Sequence, residues 1–304
     1  MIHNDDAKPQ VAPPPPPPAE VRRILVSARG GFRPGGRRMV VEVTVILAIV
    51  LGLGALVVAG GGALAAAMTP LVPIGVDQTL GRVSAAQLAA ATPSCTNPEA
   101  EAYVKALAAP LLEAAGELPY TFTFRVADDP AINAFALPGG YVTVNRGLLE
   151  AAESGEEVAG VLGHEIQHAL LRHGTRRVLR QMGSAALLSL LFGGSDVGQI
   201  AGAAGQLTSL SYDRDQEGEA DEQGVELLLR AEVNPAGLAR FFERLGEREQ
   251  AKVPAFISTH PDPGDRARLI AAAIARGAGF RDLPSPDAIR CHKGPSAPDE
   301  GSTR

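Results

Sequence analysis

The chain contains no tryptophan, and aromatic residues make up only 4% of it, so the rows of stacking rings that hold single-stranded nucleic acids are missing. A basic excess is missing too: 28 Lys and Arg stand against 34 Asp and Glu, a formal net charge of -6, and nothing points to nucleic acid as a partner. No 34-residue helical repeat runs through it, which excludes a repeat-built docking surface. Charge is wholly absent between Val43 and Met68, a run of Val, Ile, Leu, Ala and Gly. At about 1.5 Å per helical residue, roughly 20 residues cross a hydrocarbon core, and this run is long enough.

What is present is a chain of 304 residues, 45% apolar, enough for one substantial core with accessories. Residues 1–38 read as a disordered tail, with a proline run from Pro13 to Pro18. Arg22, Arg23, Arg29, Arg33, Arg37 and Arg38 precede the apolar run at 43–68, and little more than Asp77 and Arg82 follows it. The positive-inside rule therefore sets the amino terminus in the cytoplasm, with a single-pass anchor and everything downstream extracytoplasmic. The competing reading is a cleaved signal peptide, for which Ala63-Leu64-Ala65 and Ala65-Ala66-Ala67 offer small-residue sites. Either way Cys95 and Cys291 reach an oxidising side, where they can pair or remain two buried thiols.

Residues 69–96 read as a linker with at most a brief helix around Ser84 to Ala91, followed by a domain over 97–280 and a flexible tail over 281–304. Asn97-Pro98-Glu99 opens a helix that buries Tyr103, Leu107 and Leu111 and stops at Gly116. Tyr120 to Val126 and Tyr141 to Val144 have strand character. Between them Asn133, Ala134, Phe135 and Ala136, stopped by Pro138-Gly139-Gly140, form a short extended piece, either an edge able to pair with a peptide backbone or part of an ordinary hairpin. Ser154 to Glu157 matches a capping box, and the helix it opens runs toward Gly174. Met182 to Leu210 is a second apolar region, broken at Gly193-Gly194-Ser195-Asp196 into halves too short to span; it reads as a buried or interfacial helical hairpin.

That capped helix carries His164-Glu165-Ile166-Gln167-His168. Residues four apart share a helix face, so two imidazoles can meet one metal ion, with Glu165 beside them to take a proton from water during attack on a carbonyl. A third histidine at the spacing of the metzincins is absent, since Leu171 and Gly174 occupy those positions. His173 lies about 140° around the helix from His168 and is expected to face away, as a capping or surface residue. The third ligand must come from further downstream, where a helix from near Tyr212 to Arg230 offers several acids. There Glu217 and Asp221 share a face, so Glu217 can bind the metal while Asp221 accepts the outer ring proton of a ligating histidine; Glu219 should point elsewhere. Further helices are expected from Asn234-Pro235 to Leu245 and from Arg266 to Arg276.

Four stretches occur here in one order: Asn133 to Gly140, His164 to His168, Glu217 to Asp221, and Thr259-His260-Pro261 followed by Arg266. In this the chain resembles the gluzincin-type zinc endopeptidases that include HtpX, the CAAX prenyl endopeptidase, the mitochondrial OMA-type protease and the periplasmic BepA-type proteases. The resemblance covers about Asn97 to Arg276. The fold expected is an α+β, mostly helical zincin-type domain with a small antiparallel sheet behind one transmembrane helix, a departure from HtpX and the prenyl protease, which carry several spans. The resemblance implies one zinc ion per chain, held by His164, His168 and Glu217, and Glu165 as the proton-transfer base. Asn133 to Ala136 would be the edge that pairs with a polypeptide substrate, and a histidine matching His260 approaches the metal in the periplasmic members. Oxyanion donors are then sought in His260 or Arg266, with Tyr212 a weaker candidate. The function implied is hydrolysis of misfolded or envelope proteins; the rival readings are a non-catalytic zinc-stabilised binding or chaperone protein, and a zinc hydrolase of small molecules.

Overall fold

The computed structural model describes residues 36–180, 212–248, 260, 266–274, 277, 279–286, 289 and 291; of these, the side chains of 36–38, 50–61, 64, 246–248 and 266–269 lie outside the description. Of the tail expected over 1–38, residues 1–35 lie outside it and 36–38 are instead helical, while the expected hairpin at 182–210 lies outside it as well. The chain divides into two units, Met1–Ala59 and Gly60–Arg304.

The first unit holds most of α1 (Gly36–Met68), a single continuous helix that takes in the whole uncharged run. Every described side chain from Met39 to Ile49 is exposed. Among the described residues no helix is long and apolar enough to cross a membrane.

The second unit holds α2 (Ile74–Ala91), α3 (Pro98–Ala115), β1 (Thr123–Ala127), β2 (Ala134–Leu137), β3 (Tyr141–Asn145), α4 (Arg146–Ala151), α5 (Gly155–Leu170), α6 (Arg214–Arg230), α7 (Ala236–Arg248) and α8 (Arg266–Ile274). Helix α3 begins as its sequence dictates, with the Asn97 side chain accepting from the Glu99 amide, and ends at Gly116, whose φ is 82°. Its stripe of Tyr103, Leu107 and Leu111 is buried against Val158, Leu162 and Ile166 of α5 and Leu227 and Leu228 of α6 in one core. Helix α7 adds Leu238 and Phe241 to the same core.

The sheet has three strands in the order β1-β3-β2, with β1 parallel and β2 antiparallel to β3. It is therefore mixed, where an antiparallel sheet was expected. The cause lies in the 128–133 link, whose carbonyls at Asp129 and Asn133 accept from Gly147 and Asn145. This lays the link along the end of β3 and brings β3 back between the other two strands. β2 is left at an edge.

Two expectations about the flanks fail. The presumed linker contains an 18-residue helix, α2, with Asp77, Leu80, Gly81 and Ser84 buried. Its anchor is polar: Asp77 accepts from the Arg172 guanidinium and the Thr175 hydroxyl, while Arg172 also donates to the carbonyls of Thr69 and Val72 at 2.9 and 2.8 Å. Gly139, at φ 73°, brings the turn after β2 against α2 so closely that a Cβ there would sit 2.7 Å from Gln78 Cα. Nor are the described residues beyond 280 a free tail. Arg281 donates to the Glu232 carbonyl, Tyr103 Oη donates to the Pro284 carbonyl at 2.8 Å, and Cys291 is bonded to Cys95.

Replacing Asp77 by alanine leaves a largely buried guanidinium without its counter-charge. We expect a loss of about 3–5 kcal/mol in stability, read from the midpoint of urea unfolding; a shift corresponding to less than about 1 kcal/mol would show that the pair does not hold α2 in place.

Candidate metal centre

Helix α5 starts at Ser154, whose hydroxyl accepts from the Glu157 amide, but Glu157 does not close the box: its carboxylate accepts from the Glu153 amide and pairs with Arg244 of α7. From Gly155 to Ala169 only Glu156 is not buried, so His164, Glu165 and His168 project from a helix with almost no freedom to tilt. Helix α6 opens with a complete capping box of Asp213 and Gln216 and buries Glu217, Ala220, Asp221, Gly224, Val225, Leu227 and Leu228 on one face. That face meets α5 at Gly224, where a Cβ would lie 3.3 Å from the His164 Cα.

The crossing gathers His164, His168, Glu217 and His260 into one buried cluster whose ligand atoms all lie within 4.8 Å of one another. His164 Nε2 is 2.9 Å from His168 Nε2, 3.2 Å from His260 Nδ1 and 3.5 Å from Glu217 Oε2. Glu217 Oε1 is 3.4 Å from His168 Nε2 and 3.0 Å from His260 Nδ1. A tetrahedron with arms near 2.0–2.1 Å has edges of roughly 3.4 Å, so the donor types and their spacing fit a divalent ion of the zinc kind.

Around the cluster, His164 Nδ1 lies 2.9 Å from Asp221 Oδ1, the partnership expected from the one-turn spacing of Glu217 and Asp221. Glu165 accepts from the Ala136 amide at 2.8 Å through Oε2, and its Oε1 lies 3.4 Å from His260 Nε2. Ala134, Phe135 and Ala136 form the first three residues of edge strand β2, with buried Asn133 just before them. The Tyr212 ring stacks on His168 at 3.9 Å, and its hydroxyl donates to the Ala136 carbonyl at 3.3 Å. Arg266 begins α8, and its side chain is outside the described residues.

His173 stands elsewhere than expected. α5 stops at Leu171, and Arg172 adopts a left-handed φ of 58°, so residues 173–180 form a separate helical stretch. The turn brings His173 back under the site, fully buried, with Nδ1 2.9 Å from His168 Nδ1. Glu219 then lies 3.0 Å from His173 Nε2. The signal that was there to read is His173 at the point where the helix ends, just before Gly174.

Electrostatics follow from burial and pairing. Burial alone would lower the His164 pKa, but hydrogen bonds to Asp221 and Glu217 outweigh it and raise it to about 10. His168 goes the other way, pushed well down by burial and by the neighbouring His164. Burial would raise Glu217, yet His260, His164 and His168 hold its carboxyl far below the usual carboxylate range. Burial lifts Glu165, against the opposing pull of His260 and His164. His173 is lowered to about 4, chiefly by burial.

At neutral pH the metal-free cluster thus carries a proton on His164 that a ligating imidazole must give up. Because that pKa lies above 7, lower pH favours the protonated, metal-free form. We expect metal uptake at pH 7 to release about one proton, and affinity to fall roughly tenfold for each unit the pH drops. Calorimetric titration in buffers of different ionisation heat checks this; a heat independent of the buffer would contradict it.

A family model described as Peptidase family M48 matches residues 95–274. A putative beta-barrel assembly-enhancing protease of Vibrio cholerae is 33% identical over 188 residues, 57% of this chain and 39% of that protein. The mitochondrial metalloendopeptidase OMA1 of Arabidopsis thaliana is 33% identical over 148 residues, 49% of this chain and 30% of that one. For the metalloprotease LoiP of Escherichia coli the match is 30% over 158 residues, 50% of this chain and 62% of that one. Each match spans less than two thirds of the relative's own length. The family match takes in more than half of the chain, including Glu165 and all four residues of the buried cluster, and the chain belongs to peptidase family M48, a family of metal-dependent peptide hydrolases.

Proposed function

We propose that this chain is a membrane-anchored, zinc-dependent endopeptidase that cuts misfolded or envelope polypeptides outside the cytoplasm. The observation that carries the reading is a buried ligand set of two imidazoles and a carboxylate, with Glu165 beside it and hydrogen-bonded to an edge-strand amide. Zinc suits this set of borderline donors and, when bound, supplies a Lewis acid that acidifies water and polarises a peptide carbonyl.

This chain's residues do the rest. His164, His168 and Glu217 would hold the ion, and Asp221 orients His164. In the antiparallel register Ala136 faces Val142 and turns its amide and carbonyl away from β3, toward Glu165 and Tyr212. A substrate segment pairing along Asn133 to Ala136 takes over those backbone groups, which places the scissile bond at the cluster and frees Glu165 Oε2. Glu165 then takes the proton of the attacking water and passes it to the leaving amine. Tyr212, released from the Ala136 carbonyl, is a hydroxyl donor for the developing oxyanion.

His260 occupies the fourth corner of the cluster. With Nδ1 turned to His164 and Glu217 it would serve as a reversible fourth ligand to a bound ion, one that substrate would have to displace. Four protein ligands are also the mark of a purely structural zinc site, and a non-catalytic binding protein is the reading this one feature favours.

The anchor is drawn from the uncharged run at 43–68 and the arginines before it, and the described side chains from Met39 to Ile49 are all exposed. The cystine of Cys95 and Cys291 suits an oxidising compartment. A quality-control role draws on relatives named beta-barrel assembly-enhancing protease.

Glu165→Gln is expected to keep its zinc while cleavage of an unfolded polypeptide falls about 10²–10⁴-fold. Equal cleavage by variant and wild type would sink the mechanism, and the absence of metal-dependent cleavage in the wild type would favour the structural reading. His260→Ala should raise kcat/KM about 3–10-fold, mainly through a lower KM, since less of the protein is held closed. Loss of cleavage with zinc retained would instead make His260 a donor in the reaction.

A further inference from the structure

We propose that His173 and Glu219 form a positioning relay that fixes the ring tautomer and orientation of His168. The inference rests on the ligand set above and follows from counting protons. A neutral imidazole carries one N–H. His168 Nε2 points into the cluster, 2.9 Å from His164 Nε2, and must be bare to bind a cation, so its proton sits on Nδ1. That atom faces His173 Nδ1 at 2.9 Å.

Two ring nitrogens at this distance need one donor and one acceptor. His168 donates, so His173 Nδ1 is the bare acceptor and His173 is protonated on Nε2. Its Nε2 in turn lies 3.0 Å from Glu219 Oε2, a carboxylate that can only accept. With the opposite polarity, a bare His173 Nε2 would face that carboxylate lone pair to lone pair. Glu219 therefore sets the direction of the chain, and His173 transmits it to the ligand.

The two histidine ligands are thus served differently. His164 meets Asp221 directly, whereas His168 meets its carboxylate through a second imidazole. The relay is built in on both sides. His173 is fully buried and its carbonyl accepts from Gln216 Nε2 at 3.2 Å, which ties its backbone to the helix that carries Glu217 and Glu219. Arg176 lies 3.2 Å from the same Glu219 oxygen and pairs with it. Tyr212 covers one face of the His168 ring, so a loosened relay leaves that ring free to turn in its own plane.

The test uses the full chain in detergent, with zinc affinity measured by competition against a chromophoric chelator and with ring-nitrogen ¹⁵N spectra. His173→Phe fills the space without a relay, whereas in His173→Asn the side-chain oxygen can replace Nδ1 as acceptor. We expect His173→Phe and Glu219→Ala to weaken zinc binding about 10–100-fold, and His173→Asn and Glu219→Gln to recover most of it. The spectra should place the His173 proton on Nε2 in the wild type. If His173→Phe fails to fold, Glu219→Ala carries the comparison, since that side chain is 45% exposed. Wild-type affinity in Glu219→Ala, no recovery by His173→Asn, or a proton on His173 Nδ1 would each overturn the relay alone. A wild-type chain that takes up no zinc would overturn the ligand assignment and the relay with it.

Discussion

The structure depends on how closely α5 and α6 cross. His164 and His168 share a helix face, but the carboxylate that completes their set lies 49 residues further along the chain from His168 to Glu217. It reaches them only because Gly224, two turns beyond Glu217, lets the α6 backbone lie against His164. Leu227 and Leu228 of α6 and Leu162 and Ile166 of α5 then lock the crossing from the core side. Packing density, more than any single polar contact, holds the ligand atoms at their separations.

Such a crossing confines three imidazoles and two carboxylates to a buried volume, and burial of that kind is costly unless the polar atoms are answered. The surroundings supply the answers from several elements: Asp221 from α6, His173 from the stretch after α5, an amide from β2. The same closure explains why the environment drives the groups apart, raising the pKa of His164 and lowering that of Glu217. It also ties the edge strand to the proton-transfer base, because the Ala136 amide satisfies Glu165 until another acceptor competes for it.

Much of this was legible in the residues alone. Helical periodicity is local, so His164 with His168 and Glu217 with Asp221 could be set on common faces by counting. Asn97 and Gly116 announced their helix as caps do. His173 could not be placed that way, because its position turns on Arg172, a residue with no preference for the left-handed conformation it adopts. Its guanidinium contacts with Asp77 and two carbonyls, far away in sequence, help to stabilise that turn. Helix α2 was hidden for the related reason that an aspartate anchors it where an apolar stripe would have been visible. The order of the strands likewise reflects a long-range choice, made by the 128–133 link.

The cystine closes the domain on itself. Cys95 stands just before α3 and Cys291 lies 196 residues later, so nearly the whole enzymatic unit is enclosed in one covalent ring. A single cut anywhere within that ring opens it into a linear chain still joined through sulfur, and the halves cannot diffuse apart. Self-clipping in a protein of this kind would be silent on a non-reducing gel and would show two fragments only after thiol treatment.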